Sequence, residues 1–306
     1  MIPLLLPCQV GVGLCLLTAA GLASAVFYRQ RHDPAKGAAA WAVWSLAGAL
    51  VLVATILVLA IGVLTHGSII NADASTSRVL FTHRSPWLDR LMIALSAMGD
   101  GSERTTATVL IVAFLLWCRR WRAGLGLALV MTASAILVPS LKTAFHFARP
   151  SLLYSGADAF SFPSGHATSA MALFVMLAFI TGRGASAGVR WLIAGLAALI
   201  ITLTGLSRIY VGAHWLSDVL AAFALGGALA LTGIALAARE TSDAARSWHG
   251  GVVLTILILV AAVLLPRAYS KGERLYGPYL ARSVGRVVDP GRLGGPGGPI
   301  MSPPGG

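Results

Sequence analysis

Three short polar clusters interrupt an otherwise apolar chain, and each holds side chains able to do chemistry. The first pairs Lys142 with Arg149, which precedes Pro150. Two fixed cations at a helix end can hold a phosphoryl group, Arg as a planar fork and Lys as a point charge. They can equally be cations reaching from a span into the interface. The second is Pro163-Ser164-Gly165-His166, directly before an apolar run. Ser164 in that place is a good N-cap, and Gly165 lets backbone N–H groups approach an anion closely. His166, in the first turn, can protonate a departing alkoxide. The third is Ser207-Arg208, then His214, then Asp218. The i, i+4 spacing puts His214 and Asp218 on one helix face. There the carboxylate can hold one ring nitrogen protonated and leave the other free to attack. Each cluster alone also admits a plain structural reading: an interfacial pair, a capped helix, a His–Asp tie. Three in this order, with convergent polarity, point instead to a phosphate-sized gap.

The elements that position these clusters are dictated by composition. The chain has 306 residues, 57% hydrophobic and 11% charged, against about 25% charged in an ordinary soluble domain. A mean hydropathy of +0.80 leaves more apolar surface than one soluble core can hide, so lipid must cover the surplus. The net charge of +12 comes from 20 Arg and only Lys36, Lys142 and Lys271. Most of the Arg lie in short gaps between apolar runs, which points to membrane topology and anionic headgroups and not to nucleic acid. Cys8, Cys15 and Cys118 lie in apolar runs without metal or redox spacing and read as small buried hydrophobes.

Eight apolar runs are candidate spans: 4–27, 42–64, 105–118, 123–141, 167–182, 191–206, 215–237 and 251–265. Several fall short of the ~20 residues a span needs, so their helices should continue into the flanking polar loops. The gaps 29–36, 119–122, 183–190 and 239–246 hold ten Lys and Arg, which makes that side cytoplasmic. The gaps 142–165 and 207–213 then face outward together. The six Lys and Arg after residue 266 conflict with this count: either 251–265 does not cross, or a basic tail is translocated. Ala23-Ser24-Ala25 has the look of a signal-peptidase site, but the absence of a basic start favours an uncleaved span.

The order and internal spacing of the three clusters resemble the three-part motif of the type-2 phosphatidic acid phosphatase superfamily, over roughly residues 70–237. The resemblance implies an all-α, polytopic transmembrane bundle: a six-helix core, an extra N-terminal helix, and room for a C-terminal one. The expected divisions are 1–40 (helix and loop), 41–240 (catalytic core), 241–288 (apolar segment and basic tail) and 289–306 (a disordered Gly/Pro tail). It implies that His214 attacks phosphorus to form a phosphohistidine, that Asp218 orients it, and that His166 protonates the leaving group. Lys142, Arg149 and Arg208 would bind phosphate oxygens, with Ser164 and the Gly165 N–H adding hydrogen bonds. Neither a metal nor another cofactor is implied.

The implied substrate is a lipid phosphomonoester or diphosphate: undecaprenyl diphosphate, phosphatidic acid, phosphatidylglycerol phosphate or a lipid A phosphate. The membrane would be the bacterial inner one, with the site on its outer face, and no nucleic-acid partner is expected. The alternatives are a lipid-to-lipid phosphotransferase on the same site and a non-catalytic transporter or scaffold. His146 and Asp158 match no motif position and read as bystanders. Trp215 and Tyr210 read as an interfacial aromatic belt. Asp89, Asp100 and Glu103 read as solvated or paired with Arg90 and Arg104, and Leu80–Met98 as an amphipathic helix on the outer leaflet.

Overall fold

The computed structural model describes residues 34–65, 68–150, 160–238 and 248–283. The expected first span, the Ala23-Ser24-Ala25 site, Asp158, the gap 239–246 and the Gly/Pro tail lie outside these. The described residues form nine α-helices and no strand: α1 (Pro34–Leu64), α2 (Ser68–Thr82), α3 (Pro86–Ala97), α4 (Gly101–Trp117), α5 (Trp121–Phe145), α6 (Gly165–Gly182), α7 (Ala187–Tyr210), α8 (Leu216–Ala237) and α9 (Trp248–Ser283). Six are long and apolar enough to cross a membrane: α1, α5, α6, α7, α8 and α9. The architecture is thus the all-α transmembrane bundle that the sequence implies.

Local chemistry sets the helix ends. Asp100 accepts from the Gly101 N–H at 2.8 Å and starts α4; Pro86 follows the extended Ser85 and starts α3. Gly184 and Gly212 turn the chain at φ +79° and +71°, which favours residues without a Cβ. Short apolar runs did lengthen into their loops: 191–206 became α7, and 123–141 became α5 through Pro139. The run 105–118 became α4, whose 17 residues span about 26 Å, short of the ~30 Å of hydrocarbon. The segment 80–98 is not one amphipathic helix. It breaks at His83–Ser85 between α2 and α3, where Arg84 turns inward over Phe81 and donates to the Tyr210 carbonyl at 2.7 Å.

α8 is the hub. Its inner faces carry Ala221, Ala222, Ala224, Gly226, Ala228, Ala230 and Gly233, all buried. A Cβ on Gly226 would collide with the Thr168 carbonyl, so α6 and α8 approach backbone to backbone there. α1, α5 and α6 pack around α8. One apolar cluster, with Ile111, Leu115, Leu127, Met176, Ile180 and Ile234, fills one half of the bundle. A second, with Leu52, Val138, Phe147, Phe162 and Leu225, fills the half nearer the polar clusters. Leu50, Val58, Leu129, Ile136, Leu192 and Ile258 point outward and give the bundle an apolar exterior.

The helix ends sort into two groups. Arg120 meets Ile180 O, Arg183 meets Ala237 O, and Gly250 packs beside Thr181, so 118–121, 182–187, Ala237 and Gly250 share one end. Gly99 packs on His166, Arg149 on Ala213 and Ser164 on Asp218, so 98–101, 145–150, 160–165 and 210–218 share the other. α9 runs between them. It does not stop at residue 265 but continues through Pro266 to Ser283. The basic residues after 266 therefore begin as helix at the end holding the polar clusters.

Candidate active site

The loop 211–215 and the first turn of α8 form the most constrained part of the site. Gly212 bends the chain out of α7, and the N–H groups of Ala213 and His214 both return to Arg208 O, at 3.1 and 3.2 Å. Asp218, at the third position of α8, accepts at Oδ2 from the Trp215 N–H at 2.9 Å. The same oxygen lies 3.3 Å from His214 Nδ1, and Ser161 Oγ donates to Oδ1 at 3.3 Å. A proton on Nδ1, shared with the carboxylate, leaves Nε2 as the acceptor, its lone pair turned away from Asp218. Arg149 Nη1 donates to that Nε2 at 3.1 Å and to Ala213 O at 2.6 Å. His214 is 1% exposed. Burial, then the charges of Arg149, Arg208 and Lys142, push its imidazole well below the ordinary histidine range. At neutral pH it is a neutral base with a directed lone pair.

The tetrapeptide 163–166 meets this loop from α6. Ser164 donates its N–H to Asp218 O at 3.2 Å, which ties the start of α6 to the first turn of α8. Ser164 stands at the N-cap position, but its side chain makes no capping bond, contrary to the expectation for it. Its hydroxyl is wholly buried and has no hydrogen-bond partner among the described residues. Gly165 opens α6; a Cβ there would meet Val138 only at ordinary contact distance, 3.4 Å. His166 is half-buried against Gly99, and Arg208, Arg104, Arg149 and Lys142 all lie near enough to act on its charge. Lys142 sits half-buried on the last turn of α5. Arg208 donates to Ser96 Oγ, and its guanidinium lies 5.6 Å from the Tyr276 ring centroid. All eight sequence-derived candidates thus fall at one end of the bundle, around two imidazoles.

Other residues are placed differently from expectation. Trp215 and Tyr210 are not an aromatic belt: both are buried, Trp215 donating to Ala148 O at 2.9 Å and the Tyr210 hydroxyl to Asp89 at 2.6 Å. Trp87, Trp117, Trp121 and Trp191, each within five residues of a helix end, are the exposed ones among the described residues. Asp100 pairs with Lys271 at 3.2 Å, from the distant α9, while Glu103 is buried. Arg104 does feel both carboxylates, yet it donates to Ser169 Oγ at 2.7 Å. His146 caps α5 in the left-handed region, exposed and edge-on to Phe160. Cys118 is half-buried.

Sequence reasoning missed Asp73. From α2 it accepts both the Ser217 N–H, at 2.8 Å, and the Ser217 hydroxyl, at 2.7 Å. Its burial raises it to about 6, against the hydrogen bonds that lower it. An acceptor at a helix start is worth about 1 kcal/mol, here spent on the helix that carries Asp218. The available signal was a lone Asp in the polar stretch 71–78. Ser96 and Ser161 carry no comparable mark.

A family model described as the PAP2 superfamily matches residues 123–242. The chain is 30% identical over 176 residues to phosphatidylglycerophosphatase B of Bacillus subtilis, covering 56% of this chain and 85% of that protein. It is 33% identical over 154 residues to lipid A 1-phosphatase of Rhizobium etli, covering 47% of this chain and 62% of the relative. Its fold is similar to the crystal structure of a transmembrane PAP2-type phosphatidylglycerolphosphate phosphatase from Bacillus subtilis. That match has a TM-score of 0.54 at 29% identity and covers 60% of this chain and 92% of that one. With these relatives and this set of membrane-spanning helices, the chain belongs to the PAP2 superfamily, among its membrane lipid phosphatases.

Proposed function

We propose that the chain hydrolyses the terminal phosphate of a glycerophospholipid phosphomonoester through a phosphohistidine on His214, at the outer face of a bacterial inner membrane. The observation that carries this reading is the setting of His214. Its Nδ1 lies against Asp218, and its Nε2 faces Arg149 at 3.1 Å. Nε2 attacks phosphorus, the N–P bond forming as the P–O bond to the lipid alkoxide breaks. His166 delivers the proton to that alkoxide. Water then attacks phosphorus, returns a proton to His166, and the N–P bond breaks to release inorganic phosphate. Arg149, Arg208 and Lys142 take up the charge on the phosphoryl oxygens, with the Ser164 hydroxyl and Gly165 N–H as neutral donors. On this reading three cations do what a divalent ion does at other phosphoryl-transfer sites, and no metal is required.

The names of the relatives favour phosphatidylglycerol phosphate as substrate, ahead of lipid A phosphates, phosphatidic acid and undecaprenyl diphosphate. The outward orientation is supported by charge: the helix-end group opposite the site holds Arg119, Arg120 and Arg183 in short connections and Arg122 and Arg190 in the first turns that follow. Phosphate release from a panel of these lipids in detergent micelles, with and without a chelator, tests the activity and its metal independence. Labelled phosphate retained on the protein after an alkaline quench, and absent from His214→Ala, is the expected mark of the intermediate. A cysteine at exposed Thr143 should react with an impermeant maleimide in intact cells; reaction only after lysis would reverse the orientation.

A further inference from the structure

α9 is longer than a span requires. Its 36 residues reach about 54 Å, against ~30 Å of hydrocarbon. A Cβ on Gly250 would lie 3.6 Å from Thr181, at the end remote from the site. Some 18 residues on, about 27 Å along the axis, the helix draws level with the start of α6. The side-chain contacts agree. Lys271 Nζ is 3.2 Å from Asp100, and the neighbouring Gly99 packs on His166. Farther along, Tyr276 faces Arg208 and Tyr279 covers Gly212.

Arg267, Lys271 and Arg274 recur at i, i+4 and i+7, so they share one face of α9. All three are exposed. With Pro266, Ser270 and Leu275 they form an open face on α9 alone. At Pro266 it meets a shallow groove of about 360 Å³ between α9 and Ala94 of α3, whose other walls are Ala261, Ala262, Leu265 and Tyr269. Cations followed by apolar walls match the succession in a phospholipid, phosphate and then acyl chain. Arginines at a span end commonly only reach for the interface. These, however, lie at the end whose short connections carry the fewer cations, against the usual distribution. They also lie beside a groove able to take a chain.

We infer that this face of α9 is a docking site for an anionic glycerophospholipid, its headgroup phosphate on Arg267 and Arg274 and an acyl chain in the apolar groove. The binding stands on its own. That it holds lipid substrate beside His166 rests on the function proposed above.

The test uses the full chain in phosphatidylcholine nanodiscs containing a trace of spin-labelled phosphatidylglycerol, a phosphodiester that a phosphomonoesterase leaves intact. The native chain should immobilise this lipid in preference to spin-labelled phosphatidylcholine. R267Q/R274Q should lose that preference, by about five-fold per arginine at low salt. Ala262→Trp, which fills the apolar groove, should reduce immobilisation, while Arg119→Gln at the opposite end should change nothing. Equal immobilisation of the two lipids by the native chain would overturn the proposal, as would an R119Q loss matching that of R267Q/R274Q. Preference that depends on Arg267 and Arg274 without any lipid phosphate hydrolysis would keep the docking site and reject the proposed function. Hydrolysis without preference would do the reverse.

Discussion

Arg120 at one end of the bundle and Arg149 at the other are both nearly inaccessible, 2% and 9% exposed. Arg120 lies 3.5 Å from Ile180 O in the last turns of α6, and Arg183 donates to Ala237 O at the end of α8. These guanidinium groups complete helix C-termini, where carbonyls lack partners and the dipole is negative. Arg149 also donates to a carbonyl, that of Ala213, but the same nitrogen reaches His214 Nε2. Arg208 sits between Ser96 and Tyr276, close to both imidazoles. A buried arginine is thus no marker of anion chemistry by itself. Its company decides: helix-end carbonyls at one end, a directed imidazole lone pair at the other.

The sharpest way to break this contrast is at the imidazole. His214→Ala should lower phosphate release by about a thousandfold or more while thermal stability stays near native. Unfolding in place of inactivation would make His214 a structural residue. The arginines come next. Arg149→Lys keeps the charge but loses the fork, and should cost about a hundredfold in kcat. Arg120→Ala should leave kcat unchanged and lower stability by about 2 kcal/mol. Equal kinetic losses from both would erase the distinction between the ends. Ser164→Ala, which removes the unpaired hydroxyl, should cost about tenfold in kcat/KM with no loss of stability. The smallest effect is in the pH profile. Burial and nearby cations disfavour protonation of His214, so the acid limb of kcat/KM should fall below pH ~6.5, the ordinary histidine value. A limb above that value would mean that Asp218 dominates the imidazole instead.

The residues legible in the sequence are those whose spacing states their geometry. His214 and Asp218 announce their contact, although His214 makes it from the loop before α8 and not from a shared helix face, and Pro163 through His166 announce a helix start. What stayed hidden comes from distant elements: Asp73 reaches Ser217 across 144 positions, and Ser96 reaches Arg208 across 112. No local pattern encodes such partners. Tyr210 and Trp215 were misread because an aromatic beside a span end looks the same whether it meets headgroups or donates to a buried acceptor. The length of α9 was hidden for a related reason. Apolarity ends at residue 265, while Arg267, Lys271, Glu273 and Leu275 are good helix formers that carry the helix onward.

Two helices, α6 and α8, point their N-termini at the same gap, and both ends carry partial positive charge. On α8 the protein has already supplied the counter-charge, Asp73 at Ser217 and Asp218 at the first turn. The start of α6 bears only Ser164, Gly165 and His166, with no acid in its first turn. The two ends are therefore unequal as landing places. Asp73 of α2 and Asp218 of α8 offset the charge at one end, whereas α6 leaves its N–H groups uncompensated, so on the proposed function a phosphate is held from the α6 side. On that function the phosphoryl group would reach His214 from one fixed side.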